Sequence, residues 1–296
     1  MITALARWHR LPVVVRAVIA GWLVTSVGTG LWAVLTLANQ KYFPGAPWAM
    51  LPAAGYLWLF WRYLRGEGWP RGTADARRAS LRANDLSPEI WSAAIGAGLL
   101  GLIWVLVVQQ VLNRMVRLPL QIVPDTSHVP AVTLVGLLFM AAIVAGVVEE
   151  AAFRGYMQGP IERRHGPIAA ILITGVMFGA GHFVHPEVAL VLMPYYVAVA
   201  AVYGGLAYIT NSILPSLMLH AGGNLFVFLA QFGAGRSEWQ ATAAPLVWET
   251  GPDVTFVVTA AAAIGLGAAV FLAYRGLAAS VRAETDRRGP AHVLID

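Results

Sequence analysis

The chain of 296 residues contains no cysteine. That excludes disulfides, thiolate metal ligands and a thiol nucleophile, and says nothing about compartment. Charge is scarce as well. Charged residues make up 12% of the chain and hydrophobic residues 58%, against roughly 25% and 45–50% in soluble domains. Such a composition excludes an ordinary soluble enzyme and describes an integral membrane protein. Lysine is nearly missing: Lys41 is the single one, so the net charge of +5 rests on arginine. In a membrane protein that balance reports orientation, and no basic patch interleaved with aromatics argues for a nucleic-acid partner. Several catalytic signatures are lacking too, among them Gly-x-Ser-x-Gly, His-Glu-x-x-His and a Walker-type glycine loop. No internal repeat, low-complexity tract or appended soluble domain breaks the pattern, so 1–296 reads as a single integral membrane domain.

What is there is long apolar runs. Hydropathy places about eight spans near 13–37, 46–64, 90–112, 132–161, 167–185, 187–209, 213–232 and 252–274. The start has the basic flank and apolar run of a secretory signal, but the run continues to about residue 37 without a small-x-small cleavage site, which describes an uncleaved first span. The fourth run exceeds the ~20 residues needed to cross a bilayer, so its end should project into water. With the N-terminus inside, the cytoplasmic face receives Arg7, Arg10, Arg16, the cluster Arg62, Arg65, Arg71, Arg77, Arg78 and Arg82, then Arg163, Arg164, Arg275, Arg282, Arg287 and Arg288. The outer face keeps Lys41, Arg114, Arg117 and Arg236. The expected fold is therefore all-α and polytopic, with both termini cytoplasmic, set in the cell membrane. Residues 71–86 fit either a short amphipathic helix on the cytoplasmic surface or a solvated basic loop.

One block departs from this apolar background. Residues 131–148 carry no charged side chain, and then Glu149, Glu150 and Arg154 follow inside a helix that turns apolar again. A charge at membrane depth costs at least ~2.5–3.5 kcal/mol, so such groups persist where they pair or react. Glu150 and Arg154 are i,i+4 neighbours with the acid first, the favourable order. Glu149 is turned by ~100° from Glu150 on an α-helix and is left without that partner. Further on, His182 follows small residues in Phe-Gly-Ala-Gly-His, and His220 and Asn224 share a helix face in His-Ala-Gly-Gly-Asn. A lone membrane histidine is as readily a helix–helix hydrogen-bond partner as a catalyst, and Asn224 alone favours the structural reading. At ~1.5 Å per residue, however, Glu149, His182 and His220 come to similar depths. A carboxylate and a histidine beside a water form a general base, and a second histidine with an amide can hold an oxyanion. Serine-type hydrolysis lacks a promising nucleophile here, Thr174 and Ser216 being the only hydroxyls left open.

Glu-Glu-x-x-x-Arg at 149–154 with Phe153 and Gly155 around the arginine, Phe-x-x-x-His at 178–182 and His-x-x-x-Asn at 220–224 resemble, in this order, the three motifs of the CPBP family. This family comprises intramembrane proteases related to the CAAX prenyl endopeptidase (Ras-converting enzyme) and to bacterial Abi proteins. The resemblance covers about 132–232, the motif-bearing core. It implies an endopeptidase acting on membrane protein or peptide substrates, in which Glu149 activates water with help from His182. It further implies that His220 and Asn224 stabilise the oxyanion while Glu150 and Arg154 support the first helix. The family has been described both as metalloproteases and as metal-free glutamate proteases. Glu149, His182 and His220 would make a His₂Glu zinc set, but Asn224 is a poor zinc ligand and a good oxyanion donor, so no cofactor is favoured and zinc is the alternative.

Two other classes remain. Buried Glu, His and Arg also build proton relays in transporters, and the Gly- and Pro-interrupted stretch 215–223 fits a broken transport helix. Against this stands the lack of an inverted repeat. A non-catalytic, bacteriocin-immunity-type membrane protein would be expected to have lost a motif residue, and none is lost. His185, beside Pro186 and Glu187, reads as a loop residue, and His165 after Glu162-Arg163-Arg164 as a solvated turn.

Overall fold

The computed structural model describes residues 8, 10–117, 126, 128–182, 190–233 and 245–288. Among them every regular element is a helix: α1 (Val13–Tyr42), α2 (Met50–Leu64), α3 (Ala74–Leu81), α4 (Pro88–Met115), α5 (Ala131–Glu149), a π-helical segment (Glu150–Gln158), α6 (Gly159–His165), α7 (Pro167–Ala180), α8 (Met193–Thr210), α9 (Leu214–Gly233), the short α10 (Val247–Thr250) and α11 (Val254–Arg288).

Among the described residues five stretches are long and apolar enough to cross a membrane: Val13–Tyr42, Pro88–Met115, Ala131–His165, Met193–Thr210 and Val254–Arg288. The other three expected spans are short apolar helices, α2 of 15 residues, α7 of 14 and the stretch Leu214–Ala230 of α9. At ~1.5 Å per residue, α7 reaches only about 21 Å, less than the ~30 Å hydrocarbon layer. A hydropathy window counts apolar residues and is blind to where the helix stops. Here α7 stops at Ala180, two residues before His182, while 183–189, with His185, lie outside the described residues. The last span is longer than the apolar run 252–274, because α11 continues to Arg288 through its polar end.

In a bilayer the lipid tails are as apolar as leucine, so helix pairs are held by close packing and polar contacts. The central element is the motif helix. Val148, Ala151, Ala152, Phe153, Met157 and Ile161 are all buried, with α1 lying along the π segment, α9 along α5, and α7 against α8. On the far side α11 lies along α4, joined by the Trp104 indole N–H to the Ala263 carbonyl (3.0 Å) and by the Ser87 hydroxyl, at the N-cap of α4, to Glu284 (2.6 Å).

The basic segment between α2 and α4 is helical rather than a solvated loop, although Arg71 and Arg78 in it stay exposed. Residues 74–81 form helix α3, docked on the π segment at Gly155, where an added Cβ would lie 2.8 Å from the Ser80 carbonyl oxygen and 3.1 Å from that of Leu81. Arg77 is buried and donates to the carbonyls of Tyr63 (2.7 Å) and Pro70 (3.0 Å) while its guanidinium lies over the Tyr63 ring. Arg82 is buried as well. It donates to the Ala207 carbonyl (2.7 Å) and Asn211 Oδ1 (3.2 Å) and pairs with Glu162 at 3.3 Å. Burial lowers the Arg82 guanidinium from its ordinary value, and the Glu162 carboxylate works against that. This node ties α3, α6 and the α8–α9 turn together below the motif helix.

Gly155→Val should destabilise the protein by about 1–3 kcal/mol, because the extra bulk meets backbone and not a yielding side chain. Thermal unfolding in detergent measures it, and an unchanged midpoint would contradict the docking of α3.

Candidate active site

Glu149 closes α5 and Glu150 opens the π segment. The α-helical reading of this motif is thereby corrected, since single-turn periodicities near 3.6 and 4.4 residues cannot be told apart over so few positions. Widened turns of this kind gather at functional sites. Ala151, Ala152 and Gly155 bring no bulk to the widened backbone. Across it Arg154 Nη1 stands 3.3 Å from Glu150 Oε1.

Both members of this pair are completely buried. Arg154 lies between two aromatic faces, 5.0 Å from the Phe178 ring and 5.3 Å from that of Tyr203. Its nitrogens make no hydrogen bond among the described residues, so the quadrupoles of the two rings, together with the Glu150 charge, compensate the cation.

His220 reaches this pair from α9. The approach depends on Gly146, where a Cβ would sit 2.7 Å from Ala221 Cβ and 2.9 Å from its backbone nitrogen. No other residue type lets α5 and α9 come this close one residue from the histidine. His220 Nδ1 lies 2.8 Å from Glu150 Oε1, and Nε2 lies 3.6 Å from Glu149 Oε2. An ionised carboxylate only accepts, so Nδ1 carries the hydrogen and Nε2 is turned to Glu149. The Tyr203 ring stacks on the imidazole at 5.1 Å and 15°.

Glu149 differs from its neighbour. Its side chain remains 23% exposed where that of Glu150 is 0%. His182 sits past the end of α7 and is exposed. Its Nδ1 is 2.9 Å from the Phe178 carbonyl, which accepts the Nδ1 hydrogen and leaves Nε2 free. Its ring stacks on Tyr196 at 4.4 Å and 23°. Phe178 touches both imidazoles edge-on, at 5.2 Å from His182 and 6.1 Å from His220.

Glu149, Glu150, Arg154 and His220 thus form one connected chain of contacts, and His182 joins it through Phe178 and not directly. Asn224, one turn beyond His220, is half-buried and its amide makes no hydrogen bond to a described residue. The open hydroxyl candidates are occupied: Thr174 donates to the Ala170 carbonyl and Ser216 to that of Ile213, both buried. His165 is exposed at the end of α6, as its sequence context suggests. Among the described residues no three His, Cys, Asp or Glu side chains gather as a metal site. Glu149 Oε2 and His220 Nε2 face each other, but His182 does not complete the set that tetrahedral zinc needs.

Tyr196 and Tyr203 were not legible as site residues, because a tyrosine in an apolar run reads as core or membrane interface. Their spacing, seven residues on one helix, was the available signal.

Compared with known families, residues 131–226 match the family described as Type II CAAX prenyl endopeptidase Rce1-like. The match begins at the first residue of α5 and ends two residues after Asn224, so it contains every motif position. No curated protein and no solved structure matches the chain.

Glu150→Gln removes the charge that Arg154 faces and the anion that His220 Nδ1 meets. It should cost about 3–5 kcal/mol, as breaking a buried pair does, while Glu149→Gln leaves stability nearly unchanged. Equal thermal midpoints of the two purified variants would contradict this division.

Proposed function

We propose, from the match of residues 131–226 to the Rce1-like type II CAAX prenyl endopeptidase family, that the whole protein is an intramembrane endopeptidase of the glutamate type. One observation carries the choice of base: of two adjacent carboxylates, Glu150 is wholly buried and engaged by Arg154 and His220, whereas Glu149 stays accessible. Glu149 takes a proton from a water whose oxygen attacks the peptide carbonyl, with His182 Nε2 helping to orient that water. The C–O bond forms as the carbonyl electrons move to oxygen. Asn224, whose amide is free among the described residues, donates to this oxyanion. His220, in its doubly protonated form, donates from Nε2, with Glu150 balancing its charge. Collapse of the intermediate breaks the C–N bond, and Glu149 returns its proton to the leaving amine. The substrate is a membrane-associated protein or peptide that reaches the exposed edge at His182.

The metal-free reading is supported by the donor set: two facing donors, a third held apart, and an amide where a zinc site would want a stronger ligand. Were zinc held, Glu149, His182 and His220 would be its ligands, and it would supply a water of lowered pKa.

Asn224→Ala should lower kcat by roughly 10²–10³-fold with KM nearly unchanged, the usual loss for one oxyanion donor. Wild-type turnover in a peptide-library assay of that variant would return Asn224 to a structural role. Proton-coupled flux in liposomes without cleavage would select the transporter instead. Elemental analysis of active protein should find no stoichiometric zinc. One zinc per chain, lost together with activity in His220→Ala, would move the protein to the metalloproteases.

The arginine asymmetry supports a topology in which both chain ends lie in the cytoplasm of a cell-membrane protein. A reporter fused after Asp296 should be active on the cytoplasmic side, and activity confined to the outer side would overturn this.

A further inference from the structure

Two tyrosines that this chemistry does not use lie flat on the two histidines that it does. Tyr196 covers His182 at 4.4 Å with 23° between the planes, and Tyr203 covers His220 at 5.1 Å and 15°. Both belong to α8 and are separated by seven residues, close to two α-turns, so one helix face presents them in register. Phe178 stands between the histidines and meets both edge-on, with interplanar angles of 72° and 79°. Neither phenol oxygen has a hydrogen-bond partner among the described residues, so the ring and not the hydroxyl is what each tyrosine contributes.

A histidine held by one hydrogen bond can still swing about that bond. His182 is the more vulnerable of the two. It lies past the end of α7, is exposed, and its Nδ1 is anchored only by a carbonyl of its own last turn. The flat Tyr196 ring on one face, braced by Phe178, which meets both His182 and Tyr196 in T-shaped contacts at 5.2 and 5.8 Å, limits the remaining rotation. We propose that Tyr196 and Tyr203 are positioning residues, and that α8 sets the separation and the ring planes of the two catalytic histidines through them. This rests on the endopeptidase reading of the same site.

Tyr196→Leu is the decisive variant, since Tyr196 is half-buried and packs on the outside of the core, where leucine keeps an apolar side chain. A misplacement of about 1 Å costs on the order of 10²-fold in rate, so kcat should fall by about that factor while KM and the thermal midpoint hold. Tyr196→Phe, which keeps the ring, should recover most of the turnover. In a His182→Ala background Tyr196→Leu should add no further loss, as for a residue acting through another. A readout independent of activity comes from the protein labelled at histidine in detergent. The His182 Cε1–H resonance, displaced by the stacked ring, should move in Tyr196→Leu and stay in Tyr196→Phe. Tyr203→Met and Tyr203→Leu, two apolar packings of the same site, carry the parallel test on the His220 resonance. Equal loss in Tyr196→Phe and Tyr196→Leu, or an unmoved His182 resonance in Tyr196→Leu, would overturn the proposal. Resonance shifts as expected in a protein without peptidase activity would overturn the endopeptidase reading and support the positioning geometry.

Discussion

The structure turns on one carboxylate. Glu150 is buried without access to water and shared between the Arg154 guanidinium at 3.3 Å and the His220 imidazole at 2.8 Å. A charge in that position is tolerated only when it is paired and hydrogen-bonded, and here one anion orders the guanidinium and the imidazole around it. Arg154 is wedged between Phe178 and Tyr203, which leaves the guanidinium no alternative partner. His220 is turned so that its second nitrogen faces Glu149. The neighbouring carboxylate, Glu149, faces that nitrogen at 3.6 Å and keeps 23% of its side chain exposed.

That arrangement depends on close approach of backbones. In lipid the hydrophobic effect provides little driving force between helices, so close packing matters and small residues at the contact decide how near two helices come. Gly146 brings α9 to α5 beside the histidine, and Gly155 brings α3 to the π segment just below it. The polar line continues from the site to the arginine-rich end through residues four apart. Gln158 donates to the Gly204 carbonyl (2.9 Å) and to Glu162 (3.0 Å), and Glu162 meets the buried Arg82. The motif helix is thus anchored at Glu150 by an ion pair and at its far end by a second polar node. Its middle is packed against α1.

Composition and spacing alone determined that this is an all-helical membrane protein. Scarce charge and long apolar runs leave no other way to satisfy the backbone. They also determined the motif set, Glu149, Glu150, Arg154, His182, His220 and Asn224, because charged and amide side chains stand out against an apolar background. What they left undecided was geometric. Hydropathy cannot see that α7 stops at Ala180 or that α11 runs on through polar residues to Arg288. Periodicity cannot see the π segment. The pairing of His220 with Glu150 joins residues 70 positions apart, and no local rule connects them. The roles of Arg77 and Arg82 as buried donors, and of Tyr196 and Tyr203 as covers for the histidines, arise the same way. Residue type decides which chemistry a side chain can carry; only the packing of distant helices decides which groups face it, and therefore which of two adjacent glutamates is buried against Arg154 and His220 and which stays accessible.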